Sequence, residues 1–195
     1  MKIQKRLSLL TSAILVLALA APATAEHGGK STFQAANFHD FPGGTIDQPG
    51  AGTLTRTKQS IHANLALSGL DLGAAYTVWW IIWNKPEKCA ALPCGLGDLG
   101  VDGNAVIYAT GFVTAESGAA NVTADLVAGK LPKGMFVHPF FPGQLKRGNG
   151  FGVEAHMLVQ SHGSIWPGMV DVQISEDGGA CNPACAGQQG IMFLP

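Results

Sequence analysis

The chain is short of charge and nearly empty of helical signals. Only 13% of its residues are Asp, Glu, Lys or Arg, and no basic cluster occurs, so a nucleic-acid partner, whose phosphates need neutralising cations, is not expected. No stretch of a dozen residues after Ala25 keeps a 3.6-residue apolar period free of glycine or proline, which excludes helical bundles and alternating helix–strand architectures. Catalytic patterns are missing too. No serine sits on a Gly-x-Ser-x-Gly elbow, and Ser161 and His162, being adjacent, point to opposite faces of an extended chain. Glu154 has no evident carboxylate partner for glycoside hydrolysis. Internal repeats are absent, and no cysteine precedes Cys89, so there is no lipid-attachment cysteine near the start.

What is present begins with an export signal. Lys2, Lys5 and Arg6 lead into an apolar run from Leu7 to Ala21 and then the small residues Ala23-Thr24-Ala25, the three parts of a secretory signal peptide. Residues 1–25 are therefore set apart, and residues 26–195 are read as one domain with no transmembrane segment, soluble in the periplasm or secreted. Removing those 25 residues from 195 leaves 170, and removing their three cations from the 12 leaves 9 against 13 acids, a net charge of −4. Export makes two disulfides the default use of Cys89, Cys94, Cys181 and Cys185. The local pairings Cys89–Cys94 and Cys181–Cys185 are favoured because each brackets a proline-containing loop. A four-thiolate metal site is the rival, weakened because neither pair has two-residue spacing.

The fold is organised around the run Tyr76-Thr-Val-Trp-Trp-Ile-Ile-Trp83. Apolar, β-branched and aromatic residues dominate it, it is too short to span a membrane, and Asn84-Lys85-Pro86 ends it, so it reads as a central strand covered on both faces. Before it, Ile61, Ala63, Leu65 and Leu67 alternate with His62, Asn64 and Ala66, as a half-buried strand requires. After it, Ala105–Thr114 and Ala120–Leu126 flank Glu116-Ser117-Gly118 and read as a hairpin. Phe151–Gln160 is a further strand with Val153, Ala155, Met157 and Val159 on its core face, and Ile191–Leu194 is a short last one. The glycine- and proline-rich segment Glu26–Gly52 reads as a strap with at most one short strand around Ser31–Asn37, and Gly129–Asn149 as a long loop. The class is all-β, a single antiparallel β-sandwich domain with long Gly/Pro-rich loops.

Two constellations draw on the non-core strand faces, the second with His138 and His162 supplied from loops. One is a ligand face of Trp79, Trp83, Asn64 and Gln160. The other is a metal set in which His156 and Glu154 combine with His138, His162 and His62, imidazoles suiting copper or zinc. Along a straight strand His156 and His162 lie about 20 Å apart, so sharing one ion requires a turn at Ser161-His-Gly-Ser164. The ordinary alternative is that His62 and His156 are solvated outer-face residues. Asp98 and Asp102 lie in a loop loosely like a calcium site but lacking its alternating ligands and closing glutamate, so the loop reads as a turn.

At Leu67-Ser-Gly-Leu-Asp-Leu-Gly-Ala-Ala-Tyr-Thr-Val-Trp-Trp80 the chain resembles the strand–turn–strand of secreted β-sandwich domains such as the chordin-type (CHRD) domain and, more remotely, copper-zinc superoxide dismutase. Tyr-Ala-Thr-Gly at 108–111, Glu-Ala-His at 154–156, Ser-His-Gly at 161–163 and Val-Asp-Val-Gln at 170–173 make the whole exported part look like a group of uncharacterised exported bacterial proteins. The resemblance implies fold and export. Where the dismutase carries a His-x-His copper motif this chain has Trp79, Trp80 and Ile81, so it implies no dismutase activity. The expectation is a secreted or periplasmic, non-enzymatic protein acting by binding or surface interaction, with a periplasmic copper- or zinc-binding protein as the alternative.

Overall fold

The structure is a computed structural model that describes residues 30–41, 47–100, 103–131, 137–175 and 180–195. The expected signal peptide lies outside them, as does Asp102. Nine strands form one antiparallel sheet: β1 (Ser31–Asp40), β2 (Asp47–Thr57), β3 (Ser60–Leu67), β4 (Ala74–Trp83), β5 (Ala105–Val113), β6 (Ala120–Val127), β7 (Val137–Pro142), β8 (Glu154–Ser164) and β9 (Ala186–Phe193). Their order is β6-β3-β2-β1-β9-β8-β4-β5-β7. The sheet curls until β6 touches β5, giving a half-barrel whose two arms face each other across one core. The all-β antiparallel expectation holds, and the two layers of the core are arms of a single bent sheet. Helix among the described residues is limited to a single turn, α1 (Val170–Gln173), and two short 3-10 turns.

Side-chain alternation accounts for the core. Ile61, Ala63, Leu65 and Leu67 of β3 and Val122, Ala124 and Leu126 of β6 are buried while their neighbours face outward. They meet Tyr76, Val78, Trp80 and Ile82 of β4 and Ala155, Met157 and Val159 of β8 in one cluster. Every residue of β4 is buried, on both faces, as its unbroken apolar run predicts.

Two sequence expectations give way. The segment read as a strap contains the whole of β1, in which the expected short strand at Ser31–Asn37 falls, and the first part of β2, the two strands being paired through nine registered positions. Glycine in β2 reflects close packing here: a Cβ at Gly52 would meet Ile191 Cδ1 at 2.5 Å and Leu65 Cδ2 at 2.9 Å. The expected hairpin of 105–126 is also absent. β5 pairs with β4 and β7, and β6 with β3, so the connection between them crosses from one arm of the sheet to the other. It is pinned where the Leu70 amide donates to the Gly118 carbonyl at 3.0 Å, with Gly118 at φ 60°. The long loop 129–149 likewise contains the edge strand β7.

One end of the half-barrel is plugged by Arg56, which is 2% exposed. Its guanidinium donates to the carbonyls of Gly150, Val153, Phe193 and Leu194 and to Gln34 Oε1. Burial lowers its pKa to about 10, with the charge of Glu154 acting in the opposite direction.

Candidate functional site

The outward faces of β4 and β8 bear the chemistry. Antiparallel register sets Trp83 opposite Glu154, Ile81 opposite His156, Trp79 opposite Leu158 and Thr77 opposite Gln160. These side chains are not left to solvent, because residues 84–100 fold back across them and pack Cys94, Cys89 and Leu99 against Ile81, Trp83 and Leu158. Three features hold this cover. Cys89 and Cys94 stand at disulfide distance, Cα atoms 5.4 Å apart. Asp98 accepts the amides of Ala90 at 3.0 Å and Gly95 at 2.8 Å, and those two bonds lower its pKa. Asn84 Nδ2 donates to the carbonyls of Gly103 and Gln144.

Under the cover lies a polar pair. Glu154 is 0% exposed; its Oε1 accepts the Cys94 amide and stands 2.7 Å from His156 Nε2. Its Oε2 is buried without a hydrogen-bond partner, a costly arrangement for a carboxylate. The His156 ring packs on the Trp83 indole with centroids 4.5 Å apart. With the Nε2 proton directed to Glu154, Nδ1 of His156 is an acceptor.

His156 and Trp83 line a cavity of about 240 Å³ that also takes in His39, Phe41, Leu96 and Met192. A second depression of about 230 Å³ shares Phe41, Ile81, Leu96 and Leu158 with it and continues past Trp79 and Gln160 to His138 and Phe141. Together they form one groove along the outer face. The Phe41 ring forms its wall by lying against Gly187 and Gly190 of β9, where any Cβ would meet it.

The five residues of the expected metal set are spread over separate places. His156 and Glu154 share the groove floor. His138 stands at the other end of the groove, stacked on Phe141 at 5.3 Å. His62 lies on the opposite arm, 2.7 Å from Asp125 across the β3–β6 pair. His162 is 0% exposed at the far end of β8. Of the expected ligand face, Trp79, Trp83 and Gln160 line the groove, whereas Asn64 is exposed on β3 between Thr53 and Thr123. The solvated reading of His156 does not hold, since its side chain is only 12% exposed.

The structure adds what the sequence reading did not assemble. His39 joins the groove, and His162 has sulfur neighbours. Its Nδ1 lies 3.3 Å from Cys185 Sγ, Cys185 is at disulfide distance from Cys181 with Cα atoms 5.1 Å apart, and burial lowers the pKa of the ring, partly offset by the Ala180 carbonyl. The adjacency of the Ser161-His162-Gly163 and Cys181-to-Cys185 stretches rests on a parallel bridge between Gly163 and Asn182, a pairing with no local sequence signature. Compared with known proteins, the chain matches no family model, no curated protein and no solved structure.

Proposed function

We propose that this is an exported, non-enzymatic binding protein whose outer-face groove takes a small ring-bearing apolar ligand with one hydrogen-bond donor. The observation that carries the reading is the buried Glu154–His156 pair on the groove floor beside Trp83. A carboxylate that orients an imidazole inside an aromatic-walled cavity costs desolvation that its one bond to the Cys94 amide offsets only in part, and the oriented imidazole supplies a directed acceptor for a ligand. Size agrees: a 150 Å³ apolar cavity holds benzene, so about 240 Å³ admits a substituted ring. Export is supported by the amino-terminal signal pattern and by the two cysteine pairs, which suit an oxidising compartment. No helix among the described residues is long and apolar enough to cross a membrane.

Titrating the exported protein with phenol and with toluene, followed by tryptophan fluorescence, tests this. Phenol binds saturably and about tenfold more tightly than toluene, and His156→Phe abolishes the difference. Equal binding of the two, or none, overturns the reading. The copper or zinc alternative draws its support from a different place, the sulfur-flanked His162 at the far end of β8.

A further inference from the structure

The ring nitrogen Nδ1 of His162 and the sulfurs of Cys181 and Cys185 all lie within 4.8 Å of one another, the only such group of metal-ligating side chains among the described residues. The pieces around them are held firmly. His162 Nε2 stands 2.8 Å from Thr77 Oγ1, which also accepts the Trp79 indole N–H at 2.8 Å. That contact fixes the ring plane, and with the imidazole proton on Nε2 the lone pair of Nδ1 faces the sulfurs. The cysteine-bearing loop is tied to β8 on both sides of the histidine: Asn182 N–H donates to the His162 carbonyl at 2.8 Å and Ser164 N–H to the Asn182 carbonyl at 3.0 Å. Gly163 makes this approach possible, having φ 79° and no Cβ to meet the Asn182 carbonyl. His162 is buried and the two cysteines are half-buried, so an ion would enter from the sulfur side.

We propose that Cys181, Cys185 and His162 form a redox-gated copper(I) site, closed while the two sulfurs are bonded and opened by their reduction. The reductant is a dithiol. In the exchange the Cys181–Cys185 disulfide takes up two electrons and two protons and becomes two thiols, while the dithiol becomes a disulfide. Copper(I) then binds two thiolates and Nδ1, the two thiols releasing their two protons. Three ligands, two of them soft sulfurs, suit copper(I); structural zinc is almost always four-coordinate, and among the described residues no fourth ligand belongs to the group. With arms of roughly 2.0–2.3 Å, trigonal ligand atoms stand about 4 Å apart. The sulfur–nitrogen separation of 3.3 Å therefore needs only a small opening once the sulfur–sulfur bond is broken. Thr77 is a positioning residue, acting through His162. The site is separate from the groove floor: His156 is six residues, or about 20 Å, away along β8.

The test is anaerobic copper(I) titration of the whole exported protein, oxidised and phosphine-reduced, against a chromogenic copper(I) chelator. The reduced protein takes up one equivalent and the oxidised protein none, which keeps the comparison within one sequence and one fold. Cys89→Ser with Cys94→Ser retains the reduced-state binding, and Cys181→Ser with Cys185→Ser weakens it at least a hundredfold. Thr77→Val weakens it about tenfold to a hundredfold, the range for residues that orient a metal ligand, and Thr77→Ser restores it. Equal uptake by oxidised and reduced protein, no uptake, or uptake that follows Cys89 and Cys94 overturns the site. Zinc binding more tightly than copper(I) overturns the choice of ion.

Discussion

Arg56 Nη1 donates to the Val153 carbonyl at 2.7 Å, joining residues 97 apart in sequence. Because Val153 immediately precedes Glu154, the bond anchors the start of β8 at the plugged end of the half-barrel. The buried carboxylate of the groove floor is thus held in place from the opposite face of the sheet.

Replacing Arg56 by Met is therefore expected to cost roughly 3–5 kcal/mol, because it strips donors from four buried or part-buried carbonyls and removes a cation that interacts with the buried Glu154 carboxylate. Arg56→Lys does not rescue it, an ammonium lacking the planar fork that reaches several acceptors at once. Urea unfolding of the three proteins measures this, and a lysine variant within about 1 kcal/mol of the parent contradicts it.

Trp80 fills the centre of the core with 0% exposure, yet its indole N–H has no hydrogen-bond partner. Trp80→Ala should cost on the order of 3–5 kcal/mol by leaving a cavity. Trp80→Phe should cost much less, since it also removes a buried unpaired donor. Thermal midpoints decide it, and an unchanged midpoint for Trp80→Ala contradicts the packing.

Peptide mapping without reduction should link Cys89 to Cys94 and Cys181 to Cys185 in protein recovered after export, with no cross-link between the two pairs. The same mass spectra should show a chain beginning after Ala25. An intact Met1 sinks the export reading, and a Cys89–Cys181 peptide sinks the pairing.

Asp98 gives a pH signature. Its pKa in the folded protein lies below the unfolded value near 3.8, because it accepts the Ala90 and Gly95 amides. The stability it contributes is present above that unfolded value and is lost as pH falls through the lower folded one. The melting difference between the parent and Asp98→Asn should accordingly be full at pH 7 and shrink in strong acid. A difference independent of pH assigns Asp98 no such role.

The strands most readable from sequence were those whose side chains report both faces. β3 alternates and β4 is apolar throughout, and each lies where its pattern puts it. β1 was legible only as a short strand around Ser31–Asn37, and the start of β2 was hidden because backbone pairing leaves little trace in a segment where Gly50 and Gly52 make room for neighbours. The non-core parity of Glu154, His156, Trp79, Trp83 and Gln160 was legible, but the cover laid over them was not. Strand alternation says which way a residue points and nothing about what folds back onto it. His162 was singled out without its cysteines, because the contact depends on a loop returning from twenty residues downstream.

The position of β9 has a consequence for how the molecule is assembled. It is the last described strand in sequence, yet it lies between β1 and β8, bonded to both. Until its residues have been synthesised and delivered, the sheet exists only as two unjoined pieces, β6-β3-β2-β1 and β8-β4-β5-β7, each with a long edge able to pair with another chain. A chain made from its amino terminus thus receives the joining strand after every other strand of the described sheet, and in that interval whatever accompanies the growing polypeptide must keep the unfinished halves from pairing with other chains.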